Sequence, residues 1–147
     1  MDREILFRAK CFGNWRYGSY VHFDKNPTHN CYNCNYKDFI VTNEVDGEHY
    51  YPISELSSLG QYTGLKDKNE KKIFEGDIVR FSYITDGIEP IEIECLAKVV
   101  FEDGSFMIKC VKGHVHKSMQ RALFAIDYFN IKVEVVGNIT DNPELMK

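Results

Sequence analysis

The sequence predicts a mainly β protein, with a meander in its C-terminal half, an N-terminal β-hairpin lobe and one short helix. Three observations carry that expectation. Ten Phe and nine Tyr stand among many Val and Ile, and aromatic and β-branched side chains suit a pleated, half-buried surface. Apolar and polar residues alternate over several short runs, as strands with one buried face require. Asp-Gly pairs at Asp46-Gly47, Asp86-Gly87 and Asp103-Gly104 fall between such runs, where a tight turn needs residues that tolerate positive φ. With 147 residues, 44% of them hydrophobic, the chain can bury the core of one domain. That domain divides into an N-terminal β lobe over residues 1–59, a barrel-like lobe over 60–140 and a tail over 141–147.

The elements follow in order. Ile5 and Phe7, then Tyr17, Val21 and Phe23, alternate with polar residues around the turn-like Cys11-Phe12-Gly13-Asn14, so residues 3–23 read as a hairpin. Residues 24–35 are rich in Asn, contain Pro27 and lose periodicity, which marks an exposed loop. Residues 39–41 and 50–53 form two short strands joined by Asp46-Gly47, and 54–59 make a connector or a single helical turn. Residues 78–84, 91–101 and 106–111 form the meander. Met119, Leu123 and Phe124 stand at helical spacing and predict a short helix over 116–128. A final strand over 132–136 closes the barrel edge, and Asn142-Pro143-Glu144 opens a last helical turn.

The segment Gly60-Gln61-Tyr62-Thr63-Gly64-Leu65-Lys66-Asp67-Lys68-Asn69-Glu70, continuing through Lys71-Lys72-Ile73-Phe74-Glu75-Gly76-Asp77-Ile78-Val79-Arg80, closely resembles the YopX-like proteins of phages and prophages. Two flanking stretches agree in the same order. Residues 3–10 lead to Trp15 and Gly18, and Val133-Glu134-Val135-Val136-Gly137-Asn138-Ile139 is followed by Asp141-Asn142-Pro143-Glu144-Leu145. The resemblance implies a mainly β fold with a small SH3-like barrel and a phage or prophage origin. It supplies no catalytic residues. The chain departs from the pattern at Glu70, where an Asn-Gly turn is expected, so that Asn69 is left to take the left-handed conformation. It also carries a longer cysteine-bearing stretch between Phe23 and Glu48.

No apolar run approaches the roughly 20 residues of a membrane span, and the N-terminus lacks the apolar run of a signal peptide. The expected location is the cytoplasm. Five cysteines without an export signal read as free thiols in a reducing compartment, with Cys11, Cys95 and Cys110 beside apolar neighbours as buried thiols. A net charge of −4 and a pI near 5.7 exclude a general electrostatic attraction to nucleic acid or anionic membrane.

His29, Cys31 and Cys34 make the sharpest chemical cluster, because Cys-x2-Cys beside a histidine can hold zinc. Completing a tetrahedral site needs His29 with Cys11 or His22, and the alternative is an exposed loop with incidental thiols. His114 and His116 offer two imidazoles on one face of an extended segment with no third ligand. No acidic residue lies between Asp103 and Asp127, whereas Lys109, Lys112, Lys117 and Arg121 do. That basic stretch could contact phosphates while Phe106 and Phe124 stack bases, although a solvated face or an acidic protein partner explains it as well. Glu75 and Asp77 flank Gly76 and pair as acid and base only if Gly76 stays extended; Asp77 otherwise caps a turn. Gly60 and Gly64 lack the Gly-Lys-Ser/Thr ending of a phosphate loop. Trp15 and Tyr17 read as hairpin packing or, if exposed, as interface anchors.

No nucleophile and base stand at recognisable spacing. The expected function is therefore binding to another macromolecule by a non-catalytic accessory protein, with self-association through strand edges. The rival expectations are a nucleic-acid-binding module on the basic stretch and a zinc-stabilised interaction domain.

Overall fold

The computed structural model describes residues 4–25, 35–84, 88–113, 120–123 and 132–147. Its backbone is strand throughout these residues, apart from turns and one short 3-10 helix. The chain divides into two compact units, residues 1–62 and 63–147.

The first unit contains β1 (Phe7–Cys11), β2 (Asn14–His22), β3 (Asp38–Glu44), β4 (Gly47–Pro52) and most of β5 (Glu55–Lys66). They lie in the order β4-β3-β2-β1-β5. The predicted hairpin is β1 with β2, turned by Phe12 and Gly13 at φ 50° and 81°. The predicted pair joined by Asp46-Gly47 is β3 with β4. Ala9, Cys11, Ile40 and Ile53 form the core, with Phe7, Tyr20, Tyr51 and Leu59 packed against it. Residues 54–59 are not a helical turn, because β5 begins at Glu55 and runs through Gly60 and Gly64. The buried positions of β5 are Ser58, Gly60 and Tyr62, and with a hydroxyl at the first and no side chain at the second they do not show as an apolar stripe. Ser58 also serves the register shift between Arg8 and Lys10, where its hydroxyl oxygen accepts the Lys10 N–H at 2.7 Å.

The second unit holds the end of β5 beside β6 (Lys72–Phe74), and a sheet ordered β10-β9-β8-β7-β11. Its strands are β7 (Asp77–Ile84), β8 (Glu92–Glu102), β9 (Ser105–Gly113), β10 (Gln120–Ala122) and β11 (Lys132–Asn138). The meander is as predicted, but among the described residues the sheet runs open from β10 to β11 and does not close into a barrel. Asp103 and Gly104, at φ 51° and 77°, make the β8–β9 turn; Asp86-Gly87 lies outside the described residues. Within the predicted helix over 116–128, residues 120–122 are strand instead and pair with β9, and Leu123 lies in a turn. The core gathers Ile73, Val79, Phe81, Ala97, Val99, Ile108, Leu123 and Val133. The last turn, Pro143–Met146, is 3-10, and Asn142 does not cap it. The Asn142 side chain instead accepts the Asn138 N–H at 3.3 Å.

Two cysteine readings change. Cys95 and Cys110 are joined in a disulfide with 6.5 Å between Cα atoms, while Cys11 stays a buried free thiol. The pairing comes from the bulge at Leu96 and Ala97, which sets Cys110 opposite Ala97 and Cys95 opposite Gly113. Both side chains then face the core, a diagonal that a separation of 15 residues does not reveal.

Candidate functional site

The turn between β1 and β2 sets Lys10 opposite Trp15 and Arg8 opposite Tyr17, so these four share one face of the hairpin. The Arg8 guanidinium lies 4.8 Å from the Trp15 ring centre and the Lys10 ammonium 5.2 Å from it. Both are within cation–π range, and Arg8 is itself buried. Trp15 is thereby half-buried, while Tyr17 is 48% exposed. At the tip, Phe12 is 61% exposed with its ring edge-on to Tyr36 at 5.6 Å. Exposed aromatic rings around a Trp held by cations form the kind of patch that supplies binding anchors.

The opposite face of the hairpin looks to the core of its unit. Arg16 stacks over Tyr51 at 4.2 Å, and the Tyr51 hydroxyl donates to Glu44 at 2.9 Å. Further along, His22 stands directly opposite Asp38. One carboxylate oxygen of Asp38 accepts the Tyr20 hydroxyl at 2.7 Å and lies 2.7 Å from His22 Nδ1. The Tyr20 and His22 hydrogen bonds hold the Asp38 carboxyl below its ordinary pKa against partial burial. On the β3–β4 turn, donor atoms of Glu44, Asp46 and His49 lie within 4.8 Å of one another. These groups are already engaged, His49 Nε2 with Asp46 at 2.8 Å and Glu44 with Tyr51 and Thr42. Sequence reasoning named His22 only as a candidate to complete a zinc set with His29, and missed both its pairing with Asp38 and the turn set, since each depends on strand register or a turn.

Of the basic stretch, Lys109 is ion-paired with Glu102 and Lys112 is exposed. Arg121 falls in β10 opposite Ile108, and Lys117 lies outside the described residues. Phe106 is partly buried against the core and stands edge-on to Phe101 at 5.1 Å. His29, Cys31, Cys34, His114, His116 and Phe124 also lie outside the described residues. Cys11, one candidate for completing the zinc set, is buried with its thiol 3.6 Å from the Tyr51 carbonyl. Its pKa is raised by burial despite the opposing charge of Arg16.

The motif segment is structural. Asp77 is 1% exposed and accepts the Phe74 N–H at 2.8 Å. Gly76, at φ 84°, breaks the extended conformation that pairing Glu75 with Asp77 would need. Glu70, and not Asn69, takes the left-handed conformation, with φ 62°. Gly60 and Gly64 are within β5, with no helix behind them. In the second unit, the polar side of the sheet forms a shallow cavity lined by three cations and three carboxylates with Ser82. Lys68 pairs with Glu134 at 2.7 Å and Arg80 with Glu94 at 2.8 Å, so much of its charge is internally compensated.

Open antiparallel sheets joined by a turn-rich connecting motif define a mainly β protein. The family model for YopX protein matches residues 6–147, and the chain belongs to that family. The crystal structure of protein EF1440 from Enterococcus faecalis is similar in fold, with 22% identity, a TM-score of 0.51 and coverage of 99% of this chain and 100% of that one. No curated protein matches the chain in sequence. Among the described residues, no helix is long and apolar enough to cross a membrane.

Proposed function

We propose that the chain is a non-catalytic phage or prophage accessory protein that acts in the host cytoplasm by binding another protein. The observation that supports this is the β1–β2 patch, where exposed Phe12 and Tyr17 flank a Trp15 held by Arg8 and Lys10. Tyr, Trp and Arg are the residues that dominate interface energies. The nucleic-acid alternative keeps Lys112 as an exposed cation, but Lys109 is engaged by Glu102 and Phe106 by the core.

The test is affinity capture from host lysate with and without nuclease, comparing the natural chain with Phe12→Ser/Tyr17→Ser. The expected result is a specific protein retained after nuclease and lost with the double variant. Equal retention by the variant would remove the patch from the account. Recovery that disappears with nuclease would transfer the function to the nucleic-acid reading.

A further inference from the structure

We propose that His22 is a ligand for a divalent transition-metal ion at the end of β2, with Asp24 as the neighbouring carboxylate and Asp38 and Tyr20 as positioning residues. This site does not depend on the protein-binding reading. Its basis is the order in which the two ring nitrogens of His22 are used.

Tyr20 and His22 are two residues apart on β2, so their side chains project from the same side of the strand and meet Asp38 across the ladder. The Tyr20 hydroxyl donates to Asp38 Oδ1 at 2.7 Å, and His22 Nδ1 lies 2.7 Å from the same oxygen. An ionised carboxylate can only accept hydrogen bonds. The imidazole proton therefore sits on Nδ1, and neutral His22 presents its lone pair at Nε2. A carboxylate behind a histidine that fixes its tautomer and raises its basicity is the usual support of a metal-ligating imidazole.

The His22 side chain is 47% exposed, and Asp24 Oδ1 lies 3.9 Å from its Nε2. Zinc bonds of about 2.0–2.2 Å to nitrogen and oxygen put tetrahedral ligands roughly 3.4 Å apart. The Asp24 side chain is fully exposed, and a small rotation closes that difference. Water would fill the remaining positions. At His49 the ring is used the other way round, with Asp46 holding Nε2 at 2.8 Å.

The experiment uses the full chain carrying Cys31→Ser and Cys34→Ser, so that those thiols contribute nothing. Zinc is titrated by calorimetry, and cobalt is added while the imidazole resonances are followed by NMR. One zinc equivalent is expected, with paramagnetic broadening centred on the His22 ring. His22→Gln should weaken binding at least about 100-fold, and Asp38→Asn about 10–100-fold. Long-range imidazole correlations should show Asp38→Asn shifting the His22 proton away from Nδ1, a change that mere loss of packing would not produce. Absence of binding in the thiol-free chain, unchanged binding in His22→Gln, or broadening centred on His49 would each overturn the assignment.

Discussion

Asp67 shows how one residue fixes the turn between β5 and β6. Its Oδ1 accepts the N–H groups of Asn69 and Lys71 at 2.8 and 3.0 Å, and its Oδ2 accepts that of Val135 at 2.9 Å. One side chain thus closes the turn and ties it to β11, 68 residues away. Burial pushes the carboxyl pKa up, but the three N–H donors and Lys71 outweigh it, and the net shift is downward. A folded pKa below the unfolded value of about 3.9 means that the contribution is complete above that pH. It is lost as pH falls through the lower, folded value. Asp67→Ala should cost about 3 kcal/mol in urea unfolding at neutral pH, because buried N–H donors lose their acceptor. Its stability should also fall less steeply than that of the natural chain as pH is lowered below about 4. A loss under about 1 kcal/mol with an unchanged pH profile would show that water replaces the carboxylate at no cost. The turn itself was legible as Asp-Lys-Asn-Glu. The reach to Val135 and the left-handed Glu70 were not, since neither follows from local spacing.

At the scale of elements, period-two alternation revealed the β1–β2 hairpin, the β7–β8–β9 meander and β11, because each buries an apolar face. It failed for β5, whose buried side carries Ser58 and Gly60, and for residues 120–122, where Met119, Leu123 and Phe124 suggested a helical stripe but backbone pairing with β9 prevailed. The His22–Asp38 pair was hidden for a related reason, since only the β2–β3 register sets the two face to face. That register depends on Gly18, where an added Cβ would lie 2.1 Å from the Val41 carbonyl oxygen. Gly18→Ala should force β2 from β3 and destabilise the first unit by about 1–3 kcal/mol, the usual cost of overpacking. Hydrogen exchange should localise the loss to β2, β3 and β4. Unchanged protection there would mean that the strands shift apart freely.

For the whole molecule, the two units make separable predictions. The Cys95–Cys110 disulfide lies in the second unit and spans 15 residues, so closing it is worth about 3 kcal/mol by chain entropy. Reduction should lower amide protection in β8 and β9 while leaving the first unit unchanged; an equal loss in both would show that they unfold as one. The disulfide escaped sequence reasoning because the absence of an export signal argued for thiols, and a bulge was needed to bring the pair together. The family and the β class were legible from the motif and the turns, whereas the patch around Trp15 needed the hairpin register to become visible.

The protein-binding account is tested most directly by placing a photo-crosslinking phenylalanine analogue at position 17 and, separately, at position 112, then irradiating in host lysate after nuclease treatment. A discrete protein adduct is expected from position 17 and none from position 112. An adduct from position 112 alone, or none from either, would contradict it.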